Sequence, residues 1–186
     1  MRLIFLGPPG VGKGTQAKLV CDCFDIIHLS TGEILRTEIA VQSNIGNKAK
    51  LFIDNGKLVP DNVLLDIINN RLRNNDAQKG YLLDGFPRTI PQAEGLEKIM
   101  KNLSHSLKAI VSLSVDEDEL VQRLINRSLE SGRSDDAPDI IRQRQKVYWK
   151  QTAPLLDFYR SKNLLKEVDG SGDIPEITER ILGVLK

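Results

Sequence analysis

The stretch Gly7-Pro8-Pro9-Gly10-Val11-Gly12-Lys13-Gly14-Thr15, set directly after the apolar run Leu3-Ile4-Phe5-Leu6, constrains this chain more than any other feature. It reads as a buried strand, a glycine-rich turn and a helix start, with the G-x-x-x-x-G-K spacing of a phosphate loop. The chemistry needs those residue types. Glycines let the backbone turn its N–H groups into one concavity, and the N-terminus of the following helix adds its dipole. Lys13 supplies a point charge against β- and γ-phosphates. Gly14 stands between Lys13 and Thr15, where the general motif has a hydroxyl residue directly after the lysine. This departure leaves direct hydroxyl ligation of Mg²⁺ open and keeps a phosphate within reach of Thr15.

Four more short apolar runs follow: Ile26–Leu29, Tyr81–Leu83, Leu107–Leu113 and Leu164–Val168. Helical periodicity or caps separate them. A helix is expected to Phe24. Another starts at Ser30-Thr31-Gly32-Glu33, which has capping-box spacing. Residues 46–58 read as mixed, with Gly56 as a stop. A helix opened by Pro60-Asp61 carries Val63, Leu64, Ile67, Ile68 and Leu72 on one face. Residues 89–103 are helical, with Pro91 in the first turn. Asp116 and Glu119 cap the next helix, a loop covers 131–138, and one long helix is expected over Ile140–Tyr159. Tyr148, Trp149 and Phe158 are expected to pack it onto the sheet. The Gly170-Ser171-Gly172 turn precedes a final helix starting at Pro175. The pattern predicts an α/β fold, a five-stranded parallel sheet with helices on both faces. Ligands in such sheets bind beyond the carboxyl ends of the strands.

Two features there carry chemistry. Leu82-Leu83-Asp84 is an apolar strand ending in an acid, the Walker-B arrangement that holds Mg²⁺ or its waters. Arg88 follows through Gly85-Phe86-Pro87, where Pro87 stiffens the loop and Gly85 permits close backbone approach. An arginine there can bridge two phosphates. Between Arg123 and Arg144 stand five arginines (123, 127, 133, 142, 144) and no lysine. Arginine binds phosphate oxygens bidentately and stays charged. Arg123 and Arg127 share a helix face, whereas Arg142 and Arg144 diverge, so at most one of that pair points to a common site. Gln92 has an amide that can donate and accept, matching the edge of adenine.

Composition narrows the partners. With 26 basic and 25 acidic residues the formal charge is +1, against a duplex nucleic-acid surface. No apolar window is long enough for a membrane span, and Leu3–Leu6 is too short for a signal peptide. Cys21 and Cys23 are two apart, neither a disulfide framework nor a four-ligand zinc site. A cytoplasmic setting is the expectation. His28 and His105 show no partner pattern and no catalytic role is expected of them.

The loop at 7–15 resembles that of the nucleoside monophosphate kinases, and of their adenylate kinase branch in particular. So do Ser30–Arg36, Gly56–Asp61, Asp84–Thr89 with Gln92, and Arg123–Arg127 leading to Gly132-Arg133. The resemblance implies a P-loop NTPase core over 1–186, with a monophosphate-binding segment at 30–59 and a short lid at 126–136. It implies a monomer acting on ATP, AMP and ADP, with Mg²⁺, by the reaction ATP + AMP ⇌ 2 ADP. In the family's pattern Gly10, Val11, Gly12, Lys13, Gly14, Thr15 and Arg127 hold ATP, and the Gly172 backbone sits near its adenine. Thr31, Arg36, Lys57, Leu58, Val59, Gly85, Phe86, Pro87, Arg88 and Gln92 hold AMP. Arg133 and Arg144 reach the phosphates from the lid side, and Asp84 holds Mg²⁺ through water. The alternative within the family is a UMP/CMP kinase or another monophosphate kinase. Those relatives have Asn near the place of Gln92 and a smaller residue at Thr31, so both residues favour AMP. Six positions separate Arg127 from Arg133, too few for the Cys-bearing hairpin of long-lid relatives, so no zinc is expected. Lid and monophosphate segment are both expected to close on a bisubstrate analogue. A GTPase-like switch would need Ser or Thr directly after the lysine and an Asn-Lys-x-Asp segment, and neither is present.

Overall fold

Five strands, all parallel, form one sheet in a computed structural model that describes residues 1–131 and 137–186. They are β1 Arg2–Leu6, β2 Ile27–Ser30, β3 Tyr81–Asp84, β4 Ala109–Ser114 and β5 Leu165–Asp169, in the order β2-β3-β1-β4-β5. Each run predicted as a strand is one. Register places Asp84 opposite both Ser30 and Phe5, so the ends of β2, β3 and β1 lie side by side where the phosphate loop begins.

Alternation along the strands produces two cores. Leu3, Phe5, Leu82, Val111 and Leu113 face one way, onto Ala17 and Val20 of α1 (Lys13–Phe24) and Ile177, Ile181 and Leu185 of α9 (Ile174–Leu185). Ile4, Leu6, Leu83 and Ile110 face the other, onto α4 (Asp61–Leu72) and α5 (Ile90–Asn102) through Leu64, Ile68, Leu72, Ala93 and Leu96. The parallel sheet is thus covered on both faces, as continuous apolar runs require.

Helix starts follow their caps. Ser30 Oγ accepts from Glu33 N at the start of α2 (Thr31–Ala40), Thr89 Oγ1 accepts from Gln92 N, and Asp173 and Glu176 cap α9 reciprocally. The remaining helices are α3 (Asn44–Ile53), α6 (Glu117–Ser131), α7 (Pro138–Val147) and α8 (Pro154–Arg160). Among the described residues, no helix is long and apolar enough to cross a membrane.

The structure fills in one stretch and corrects one expectation. The mixed stretch at 46–58 begins as α3, capped by Ser43, which accepts from Gly46 N. Gly46 lies in its first turn, and a Cβ there would stand 2.1 Å from Glu38 O, so it is the residue that lets α3 pack on the end of α2. The single helix over 140–159 is α7, then a π turn at Tyr148–Thr152, then α8. Pro154 lacks an N–H, and just before it the chain widens: Ala153 N donates to Tyr148 O at 2.9 Å, five residues back. With the turn widened, Tyr148 is buried but Trp149 points outward, 59% exposed, instead of packing on the sheet. Of the lid expected at 126–136, the part at 132–136 lies outside the described residues.

Candidate active site

A cleft of about 870 Å³ opens at the carboxyl ends of β1, β2 and β3. Its floor is the phosphate loop. Gly12, at φ +97°, ends the loop in a left-handed conformation open to glycine and starts α1. Lys13 Nζ folds back to donate to Gly7 O at 2.6 Å and Pro8 O at 2.9 Å. Burial lowers its pKa to about 8; Asp84 opposes that change, while Arg88, Arg144 and Arg127 add to it. Three arginines and one lysine therefore share one electrostatic environment.

Asp84 ends β3 beside this lysine. Burial pushes its carboxyl upward, but the hydrogen bond to His28 and the charges of Lys13 and Arg88 outweigh that, and the net shift is downward. Asp84 therefore stays ionised at neutral pH. Its Oδ2 is 3.7 Å from where a Cβ on Gly14 would stand, at the first turn of α1. A buried ionised carboxylate near Thr15, which lines the cleft, is a hard-oxygen donor set of the kind Mg²⁺ takes, usually with waters completing the shell. The residues fit that ion.

The loop after Asp84 is tied at several points. Thr31 Oγ1 donates to Gly85 O at 2.9 Å, and Arg88 Nε donates to the same oxygen at 2.7 Å. Gly85 has φ +77°, and a Cβ there would stand 3.0 Å from Arg88 Nη2 and 3.1 Å from Thr31 Oγ1. Arg88 N donates to Gln92 Oε1 at 2.7 Å, and Arg88 O accepts from Thr152 Oγ1 at 2.9 Å.

The other wall comes from the 30–59 segment. Arg36, Lys57, Leu58 and Val59 line the cleft with Thr31. Arg127 of α6 and Arg144 of α7 also line it, and α7 meets the 30–59 segment, where a Cβ on Gly56 would stand 3.3 Å from Arg144 Cγ. Arg142, two residues from Arg144, pairs with Asp139 on the exposed side, as helical divergence requires.

Of the residues singled out in the sequence, Gly10, Gly12, Lys13, Gly14, Thr15, Thr31, Arg36, Lys57, Leu58, Val59, Asp84, Gly85, Pro87, Arg88, Arg127 and Arg144 line this one cleft. Val11 and Phe86 do not: both are core residues, so only their backbone is available to a ligand. Gly172 is also absent from the wall. Its turn is nonetheless tied to the site, because Arg180 Nη1 donates to Ser171 O and Arg123 joins Gly170 O to Val11 O. Gln92 is set back from the wall. It is fully buried behind the wall, with Oε1 accepting from Arg88 N and Nε2 donating to Asp61 at 2.7 Å. A buried amide needs such partners, and this conformation gives it to the Arg88 loop, not to the cleft. Arg133 lies outside the described residues.

Sequence reading missed two contributors, His28 and Thr152, and gave Arg123 no role of its own. Arg123 lines the cleft and bridges the phosphate loop to the 170–172 turn. Its four-residue spacing from Arg127 was the available signal. His28 sits on Asp84, legible only once the strand register is known. Thr152 had no signal, because nothing in the pattern showed a π turn.

Comparison with known proteins agrees with this arrangement. A family model described as adenylate kinase matches residues 5–164. The chain is 47% identical over 180 residues to an adenylate kinase of Cyanothece sp., covering 97% of this chain and 92% of the relative. It is 46% identical over 185 residues to an adenylate kinase of Nocardioides sp., covering 100% and 97%. With an adenylate kinase of Stenotrophomonas maltophilia (strain K279a) it shares 45% identity over 186 residues, all of both chains.

Proposed function

Because this chain belongs to the adenylate kinase family and so interconverts ATP and AMP with two ADP, we propose that the arginine-lined cleft is where the phosphoryl group passes. The supporting observation is the convergence of Lys13, Arg88, Arg127 and Arg144 in one electrostatic environment around an 870 Å³ cavity. Cations so crowded raise each other's energy, and polyphosphate relieves it. Transfer between two anionic nucleotides needs positioning and charge stabilisation more than covalent chemistry.

In this reading the phosphate loop, Lys13, Arg123 and Arg127 hold ATP. Thr31, Arg36, Lys57 to Val59 and Gly85 to Arg88 hold AMP on the opposite wall. Arg88 spans the gap between donor and acceptor phosphates, and Arg144, with Arg133, reaches the transferred group from the lid side. Asp84 and Thr15 would hold Mg²⁺ through its waters, and the bound ion would neutralise β- and γ-phosphate charge. Gln92 supports AMP binding by carrying the Arg88 loop; a direct adenine contact would need it to turn from Asp61. The 30–59 segment and the short lid act as the closing parts that exclude water. All these residues come from one chain, which makes the monomer sufficient, and the free thiols Cys21 and Cys23 suit a reducing, cytoplasmic setting.

Coupled ADP production with ATP and each of AMP, UMP, CMP and GMP tests the acceptor. AMP should exceed the others in kcat/KM by roughly 10²-fold or more. Comparable turnover of UMP or CMP would contradict it.

A further inference from the structure

Thr152 ends the π turn at Tyr148–Thr152 and is 7% exposed. Its hydroxyl donates to Arg88 O at 2.9 Å, although 64 residues separate the two. A regular helix rotates by about 100° per residue, so a turn holding one extra residue swings everything after it by that amount. The π turn at Tyr148–Thr152 is therefore what aims residue 152. Upstream, the same run is α7, which carries Arg144 into the cleft.

At least three contacts hold Arg88. Gln92 accepts from its N–H, Gly85 O accepts from its Nε, and Thr152 donates to its carbonyl. The first two partners belong to Arg88's own loop and helix. Thr152 alone of the three ties the arginine to the element that carries Arg144.

We propose that Thr152 is a positioning residue for Arg88, and that the π turn couples Arg88 to Arg144 by bringing this hydroxyl to the loop. The inference rests on the reading of Arg88 as a phosphate ligand. A misplaced arginine loses transition-state contacts more than it loses fold, because the charge must sit where the transferred group passes. The effect should appear in the AMP half-site and in turnover, not in ATP binding.

The test compares Thr152→Val, Thr152→Ser, Arg88→Ala and Arg88→Ala/Thr152→Val in full-length protein. Thr152→Ala stands in if the valine variant fails to fold by circular dichroism. Thr152→Val should lower kcat/KM for AMP by roughly three- to tenfold, the worth of one hydrogen bond, and leave the ATP KM unchanged. Thr152→Ser should restore most of the loss. On the Arg88→Ala background Thr152→Val should cost nothing further, since its effect passes through Arg88. Wild-type kinetics for Thr152→Val, equal losses for Ser and Val, or the same loss on both backgrounds would overturn the proposal. Wild-type turnover by Arg88→Ala alone would overturn the reading of Arg88, and this inference with it.

Discussion

His28 Nε2 lies 3.3 Å from Asp84 Oδ2, across two neighbouring strands. The register explains the contact. His28 is opposite Leu82, and Asp84 is two residues further along β3, so its side chain returns to the same face. The imidazole holds Oδ2, the same oxygen that lies 3.7 Å from where a Cβ on Gly14 would stand, so it orients the carboxylate beside the phosphate loop. Replacing His28 by Leu should lower kcat/KM for ATP by about tenfold and raise the Mg²⁺ concentration needed for half-maximal rate. His28→Gln, which keeps a donor, should restore most of it. A Mg²⁺ titration of both variants decides, and identical curves for His28→Leu and wild type would refute the role.

Lys13 carries a stability cost. An ordinary lysine titrates at 10.5, and burial brings this one to about 8. Between those values the folded protein binds fewer protons than the unfolded chain, so the ligand-free protein gains stability as pH rises from about 8 toward 10.5. Below about 8 the cost is fully present. Lys13→Met should therefore raise the ligand-free Tm at pH 7, by roughly 2–4 °C for each kcal/mol relieved, while lowering kcat by at least about 10²-fold. In the wild type, kcat/KM for ATP should fall as pH rises through about 8. A lower Tm in Lys13→Met would contradict the burial argument.

Gly85 is tightly enclosed. A Cβ there meets Arg88 Nη2 and Thr31 Oγ1, and φ is +77°. Gly85→Ala should cost about 1 kcal/mol of stability through the backbone alone. It should also displace the arginine and lower kcat/KM for AMP by roughly 10²-fold. Thermal melts and AMP kinetics separate the two effects; loss of stability with normal AMP kinetics would show that Arg88 tolerates the shift.

Gln92 supports the arginine from behind. Gln92→Leu removes the acceptor for Arg88 N and the donor to Asp61. The AMP KM should rise by about tenfold or more, with the ATP KM unchanged, and Tm should fall because Arg88 N and Asp61 lose partners. Equal increases in both KM values would count against this placement.

Much of the site was legible because its chemistry is local. Gly7 to Thr15 form a loop from consecutive residues, and Leu82-Leu83-Asp84 ends a strand at the acid, so spacing alone located Lys13 and Asp84. Strand runs were legible because a two-sided parallel sheet makes them continuously apolar. What stayed hidden depends on register or on a local irregularity. His28 meets Asp84 only through the pairing of β2 with β3. Thr152 meets Arg88 only through a π turn just before Pro154, and Trp149 points outward in that same turn. Gln92 has the right chemistry for adenine, but its buried amide already serves Asp61 and Arg88.

The most direct test of the arginine-lined cleft is single-turnover ADP formation by Arg88→Ala at saturating ATP and AMP. The expected result is a rate reduced by at least about 10³-fold, with unchanged circular dichroism, since an arginine on the transferring phosphoryl group is worth that much. A rate within about threefold of wild type, well under 1 kcal/mol, would contradict the account.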